Sequence, residues 1–225
     1  MTSVDRESIC AALLKLGAWT AIIAVTVQTA AHLVYSYVWP SLLLNADNDW
    51  GTFAWASTVV TFSGALAASV LAALGPERGL KLTLAAILAF FSFDDGVRLH
   101  ERLSADVVSL IPWEHAGRVA GMLVLLPLMA VAFVVLWRLS RAEAGRVRGH
   151  IRLGLGFLVT AIFLEAVVST LIRRGGWSGS DLPMVLEVLV EEGAELGGWI
   201  LIVTGLTTIG FRALSRLDGA SRPTG

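Results

Sequence analysis

The chain has 225 residues, of which 56% are hydrophobic and only 16% charged, with a formal net charge of −1. Soluble domains carry about 25% charged residues, so a water-facing surface of ordinary polarity cannot be built from this composition. The single cysteine, Cys10, excludes an internal disulfide and a thiolate metal cage, and no basic patch interleaved with aromatics points to nucleic acid.

Six stretches reach the roughly 20 apolar residues that a membrane-spanning helix needs. They predict an all-α integral membrane bundle, one domain over residues 1–225. The first, 11–37, follows Asp5, Arg6 and Glu7, which give no cationic leader, so it reads as a retained span rather than a cleaved signal. It carries Gln28, His32 and Ser36 on one stripe, expected to face the bundle interior. The second, 53–74, is free of charge. The third, 80–99, runs into Asp94-Asp95-Gly96-Val97-Arg98-Leu99-His100-Glu101. Segment 105–117 mixes Val107, Val108, Leu110, Ile111 and Trp113 with polar residues, and is expected to lie in the membrane interface as a lid. The pair Glu114-His115 within it reads as solvated loop. The fourth span, 117–137, opens on Gly117 and Gly121. The fifth, 153–172, holds Glu165 and ends at Arg173-Arg174. The sixth, 184–211, follows a start signal at Ser178, Ser180, Asp181 and Pro183, and carries Glu187, Glu191, Glu192 and Glu195.

Cationic loops resist translocation, so the count of Lys and Arg per loop sets the orientation. With both termini cytoplasmic, twelve of the seventeen cations fall inside, among them Arg138, Arg141, Arg146, Arg148, Arg152, Arg212 and Arg216. The small-residue pairs Gly117/Gly121 and Gly193/Gly197 are expected to let helices approach closely, within the chain or between copies of it.

An ionisable group inside a span costs at least about 2.5–3.5 kcal/mol at the centre, and this chain holds many. At about 1.5 Å rise per residue, His32, Asp94, Asp95, Glu165 and the upper glutamates of the sixth span fall at one depth, in the outer half of the membrane. Glu187, Glu191 and Glu195 form an i, i+4, i+8 stripe that Glu192 widens, while Asp94, Arg98 and Glu101 share a face of the third helix. Carboxylates so crowded repel unless protonated, paired with cations or bridged by metal.

Two chemistries suit that cluster. A divalent metal (iron, manganese or zinc) would take ligands from His32, Asp94, Asp95, His100, Glu101, Glu165, Glu187, Glu191 and Glu195. Glu192 would then serve as acid or base, and Arg98 would orient an anionic group, in an enzyme acting on a lipid or lipophilic substrate. Di-iron bundles place Glu and His inward from four helices, but no Glu-x-x-His occurs here, so the likeness is one of chemistry alone. That enzyme is the leading reading; the alternative is that the same acids make a proton relay or cation site in a transporter or channel. The third reading is local ion pairing, such as Asp94 with Arg98, in a structural subunit.

Overall fold

Long apolar runs in lipid satisfy their backbone only within helices or closed barrels. In the computed structural model every described element is a helix. The structure describes residues 3–48, 51–97, 99, 102, 116–177 and 180–220. Helix α1 covers Ser3–Tyr37, and a single 3-10 turn at Leu42–Leu44 leads towards α2, Thr52–Leu74. Helix α3 is Arg78–Val97 and α4 is Ala116–Ala142. Helix α5 starts as Gly145–Phe163, passes through a π turn at Leu164–Val168 and finishes as Ser169–Arg174; α6 is Leu182–Ala220. Most of the expected lid, with Trp113, Glu114 and His115, lies outside the described residues, as do the side-chain surroundings of Gly117 and Gly121.

Five helices, α1, α2, α4, α5 and α6, are long and apolar enough to cross a membrane. Helix α3 differs because Arg78, Lys81, Asp94 and Asp95 sit within it, leaving only the 12 residues 82–93 without charge. Its Lys81 folds back beside Gly75 at the end of α2, and Ser92 Oγ donates to the Thr58 carbonyl at 2.9 Å. Helices α2 and α3 therefore form a hairpin fastened at both ends.

Helix α6 is the axis of the bundle: 67% of its apolar stretch is buried, against 17–33% for the other four spans. Its faces are divided among partners. Gly193 and Gly197 lie against Val25 of α1, as a small-xxx-small pair should. Gly198 meets Gly154 of α5, where a Cβ on Gly154 would stand 2.6 Å from the Gly198 carbonyl oxygen. Below this crossing Leu84, Leu88, Leu136, Ile151, Ile202 and Leu206 close a core drawn from α3, α4, α5 and α6. Outside it, Trp19, Val59 and Phe62 remain more than half exposed. An apolar periphery of this kind suits hydrocarbon rather than water.

One end of the bundle is rich in arginine and stitched by polar contacts. Arg212 pairs with Glu143 at 3.0 Å and Arg138 with Glu77 at 3.4 Å. Arg148 Nε donates to the Glu143 carbonyl at 2.7 Å, occupying an acceptor left over where α4 ends. The opposite end gathers the close of α1, the turn before α2, the close of α3 and α5, and the start of α6. The acids collect there.

A candidate acidic site at one end of the helices

Helix α6 supplies the centre of the site because four of its residues between 187 and 195 are glutamates. Glu187 is only 4% exposed. Its carboxyl stands beside that of Glu191, close enough to couple, yet neither Glu187 oxygen meets a donor in hydrogen-bond geometry. Glu191 also feels Glu165 and Glu192. Glu192 in turn lies within electrostatic reach of Glu195, Asp47, Glu165 and Asp95. Acids from α3, α5, α6 and the turn after α1 thus share one region.

Glu165 reaches this group from the π turn, whose wider backbone leaves the Ser169 amide bonded back to the Leu164 carbonyl. Such turns re-aim a side chain within an otherwise regular helix and recur at functional sites. The side chain is exposed rather than enclosed. In the sequence Glu165 is placed by depth alone, and the π turn sets its direction.

Beside the acids lies a cavity of about 470 Å³, lined by His32, Tyr35 and Ser36 of α1, Asn45 and Asp47 of the turn, and Arg173 of α5. Met184 and Val188 close it from α6, backed by a small apolar cluster with Ala46. The polar stripe of α1 turns inward, with Gln28 and His32 buried. His32 Nδ1 accepts a hydrogen bond from the Ala46 amide at 3.1 Å, and the Asn45 side chain and the Asp47 charge also face the ring. With Nδ1 committed to a backbone donor, only Nε2 remains for other chemistry. Arg173 is steadied by its Nε donating to Ser169 Oγ at 3.3 Å.

The anchoring of His32 can be tested directly. His32→Phe strands the buried Ala46 amide and is expected to cost about 1–3 kcal/mol, read as a lower melting temperature of the purified protein. His32→Asn, which keeps an acceptor near the Nδ1 position, should recover much of the loss. Equal losses in both variants would show that the amide contact is not what matters.

Of the other expected residues, Asp94 is buried and Asp95 half-buried, both engaged in interactions. Arg98, His100 and Glu101 lie outside the described residues. Among the described residues no three His, Cys, Asp or Glu side chains are grouped to hold a metal ion. The described acids are spread over several helical turns of α6 and its neighbours. Asn45, Asp47 and Tyr35 were not expected at the site. The one signal for the first two is the dense polar run Asn45-Ala46-Asp47-Asn48 between two apolar spans.

Residues 8–209 match the model of a family described as a domain of unknown function, DUF8692, and the chain belongs to that family. No curated protein and no solved structure matches it.

Proposed function

We propose that this DUF8692 member is a multipass membrane protein that moves a proton or a small cation through the acidic cluster around Glu187, Glu191, Glu192 and Glu195. The observation that carries this reading is Glu187, a buried carboxyl whose one partner is another carboxyl, that of Glu191. A charge so placed is too costly to leave uncompensated, and a proton or a bound cation is what compensates it. The cavity at His32, Asp47 and Arg173 gives the cluster an aqueous mouth. Helix α3 acts as the sixth span, its short apolar stretch held within the bundle by α2. Both termini face the cytoplasm, so the arginine-rich end is inner and the acidic end outer, in keeping with cations retained on the cytoplasmic side.

The test is flux. Protein reconstituted into vesicles should carry a pH- or cation-gradient-driven current above that of empty vesicles, and Glu191→Gln and Glu165→Gln should each bring it to background. Parent flux equal to that of empty vesicles would end the proposal.

A metal-dependent enzyme acting on a lipid is the second reading, favoured by the oxygen-rich approach of Asp47, Asp95, Glu165, Glu192 and Glu195. Its ligand set would need His100 and Glu101 to complete it. Near-integral iron, manganese or zinc in detergent-purified parent, lost in His100→Ala and Glu191→Gln at unchanged folding, would establish this reading in place of the first.

A further inference from the structure

A second, apolar cavity lies on the flank of the bundle, its upper lining at Phe91, Ile162 and Trp199 one helical turn from Asp94, Glu165 and Glu195. About 220 Å³ in volume, it sits between α4 and α5 and is lined by apolar groups that include Leu126, Phe133, Leu136, Leu155, Val159 and Trp199. Leu126, Phe133 and Val159 keep 37–50% exposure, so it opens sideways to the surroundings of the bundle and not along its axis. Towards the arginine-rich end it stops at Leu136 and Leu155. One residue beyond Leu136 is Trp137, and three residues before Leu155 is Arg152. The rise across those steps is at most about 5 Å, and Phe133, which lines the cavity, stacks on Trp137, so the pair lies about one turn beyond the cavity's end.

Arg152 is unlike its cationic neighbours. Arg138 and Arg212 are matched to Glu77 and Glu143, and Arg148 spends its guanidinium on the carbonyls of Glu143 and Arg141. Arg152 is half-buried, with its guanidinium carbon 4.7 Å from the centre of the Trp137 ring and its Nε donating weakly to Ser140 Oγ at 3.5 Å. Among the described residues no carboxylate is paired with it. Trp137 is itself stacked on Phe133, the rings 11° apart, and Phe133 lines the cavity. A flat, immobilised guanidinium at a membrane interface, unneutralised and set at the mouth of an apolar crevice, is complementary to one kind of molecule. That molecule carries a negative phosphate at the interface and a hydrocarbon chain beneath it.

We propose that the crevice between α4 and α5 holds an anionic phospholipid, with its phosphate on Arg152 and an acyl chain in the cavity lined by Phe133, Leu136, Leu155 and Val159. Basic pockets between spans recognise anionic lipid head groups through the same charge match, and the chain supplies the apolar contact that a free anion lacks. The proposal uses none of the acidic residues and does not rest on the flux reading.

Native mass spectrometry of the full chain, released from nanodiscs of equimolar phosphatidylglycerol and phosphatidylcholine with matched chains, reads the proposal. The parent should retain phosphatidylglycerol about fivefold over phosphatidylcholine, the factor that one cation near the membrane surface supplies. Arg152→Gln should bring the ratio close to one, whereas Arg141→Gln, on the exposed face, should leave it unchanged. Val159→Trp, which fills the cavity from its open side and leaves Arg152 in place, should lower retention of both lipids. All variants are compared at parent-like melting temperature and monodispersity. Equal retention of the two lipids by the parent would overturn the proposal. So would a loss in Arg141→Gln as large as in Arg152→Gln, or full retention in Val159→Trp. Displacement of the lipid by inorganic phosphate would likewise replace it with a free-anion site.

Discussion

Glu187→Leu is expected to make the protein more stable and to stop its flux. Glu187 is buried to 4% exposure, no group other than the Glu191 carboxyl is placed to donate to its oxygens, and its other near neighbours on α6 are Met184, Val185 and Val188. An unsatisfied buried polar group costs on the order of 1–3 kcal/mol. Exchange of a buried ionisable group for an apolar one of similar size is often neutral or favourable. Leucine removes the cost and the crowding against Glu191 together. At roughly 2–4 °C per kcal/mol for a chain of this size, the melting temperature should rise by several degrees. Flux should fall to the level of empty vesicles, because the group that exchanges the proton or cation is gone. Residues that weaken a fold and yet persist are the ones expected to serve function. A drop in melting temperature would mean that Glu187 is held by a structural network after all. A rise with flux unchanged would make it a bystander and leave Glu191 and Glu192 to carry the chemistry.

Much of this architecture could be read in the sequence, and the reasons it could are also the reasons the rest could not. Apolar runs located α1, α2, α4, α5 and α6 because hydrocarbon demands a minimum length of every span, although α1, α5 and α6 extend as helix well beyond their apolar stretches. Helix α3 tested that rule: its helix was legible, but Lys81 and Asp94 cut its apolar stretch to 12 residues. The gathering of acids at one end followed from depth alone, since antiparallel helices return to the same level. Depth does not give distance, however. A stripe at i, i+4 and i+8 spreads its carboxyls along the helix, so the distances between acids follow from the packing of neighbouring helices and not from spacing. The π turn at Leu164–Val168 left no mark in the periodicity, so the exposed position of Glu165 could not be foreseen. Asp47 and Asn45 come to the site through a turn, and no helical spacing reports where a turn folds back. The lipid crevice was hidden for a similar reason. Arg152 looked like one cation in a basic loop until its stacking on Trp137 distinguished it from the paired arginines around it.

The glycines show the same division between motif and contact. Gly193 and Gly197 were conspicuous as a small-xxx-small pair, and they do receive Val25 of α1. The crossing where backbone meets backbone is elsewhere, at Gly154 and Gly198, which the sequence reading did not single out. Gly154→Leu is expected to be the most damaging single change in the membrane-embedded part. Even its Cβ would stand 2.6 Å from the Gly198 carbonyl oxygen, 2.7 Å from Ile202 Cγ1 and 3.2 Å from the Ile202 amide nitrogen. Two of those three atoms are backbone, so no rotamer change relieves the clash and the helices must separate. Overpacking by a few methylenes costs about 1–3 kcal/mol where side chains give way, and more where they cannot. In lipid the loss is compounded, because close packing rather than hydrophobic burial holds spans together. The variant should fail to yield a monodisperse peak on size-exclusion chromatography. Gly156→Leu, two residues along the same helix, is the control: a Cβ there meets nothing within 4 Å. It should melt within about 0.5 kcal/mol of the parent, as surface changes usually do. Parent-like melting of Gly154→Leu would mean that α5 and α6 do not cross at these glycines. The placement of Glu165 against the α6 glutamates would then fall with that crossing, since the same helix pair brings them together.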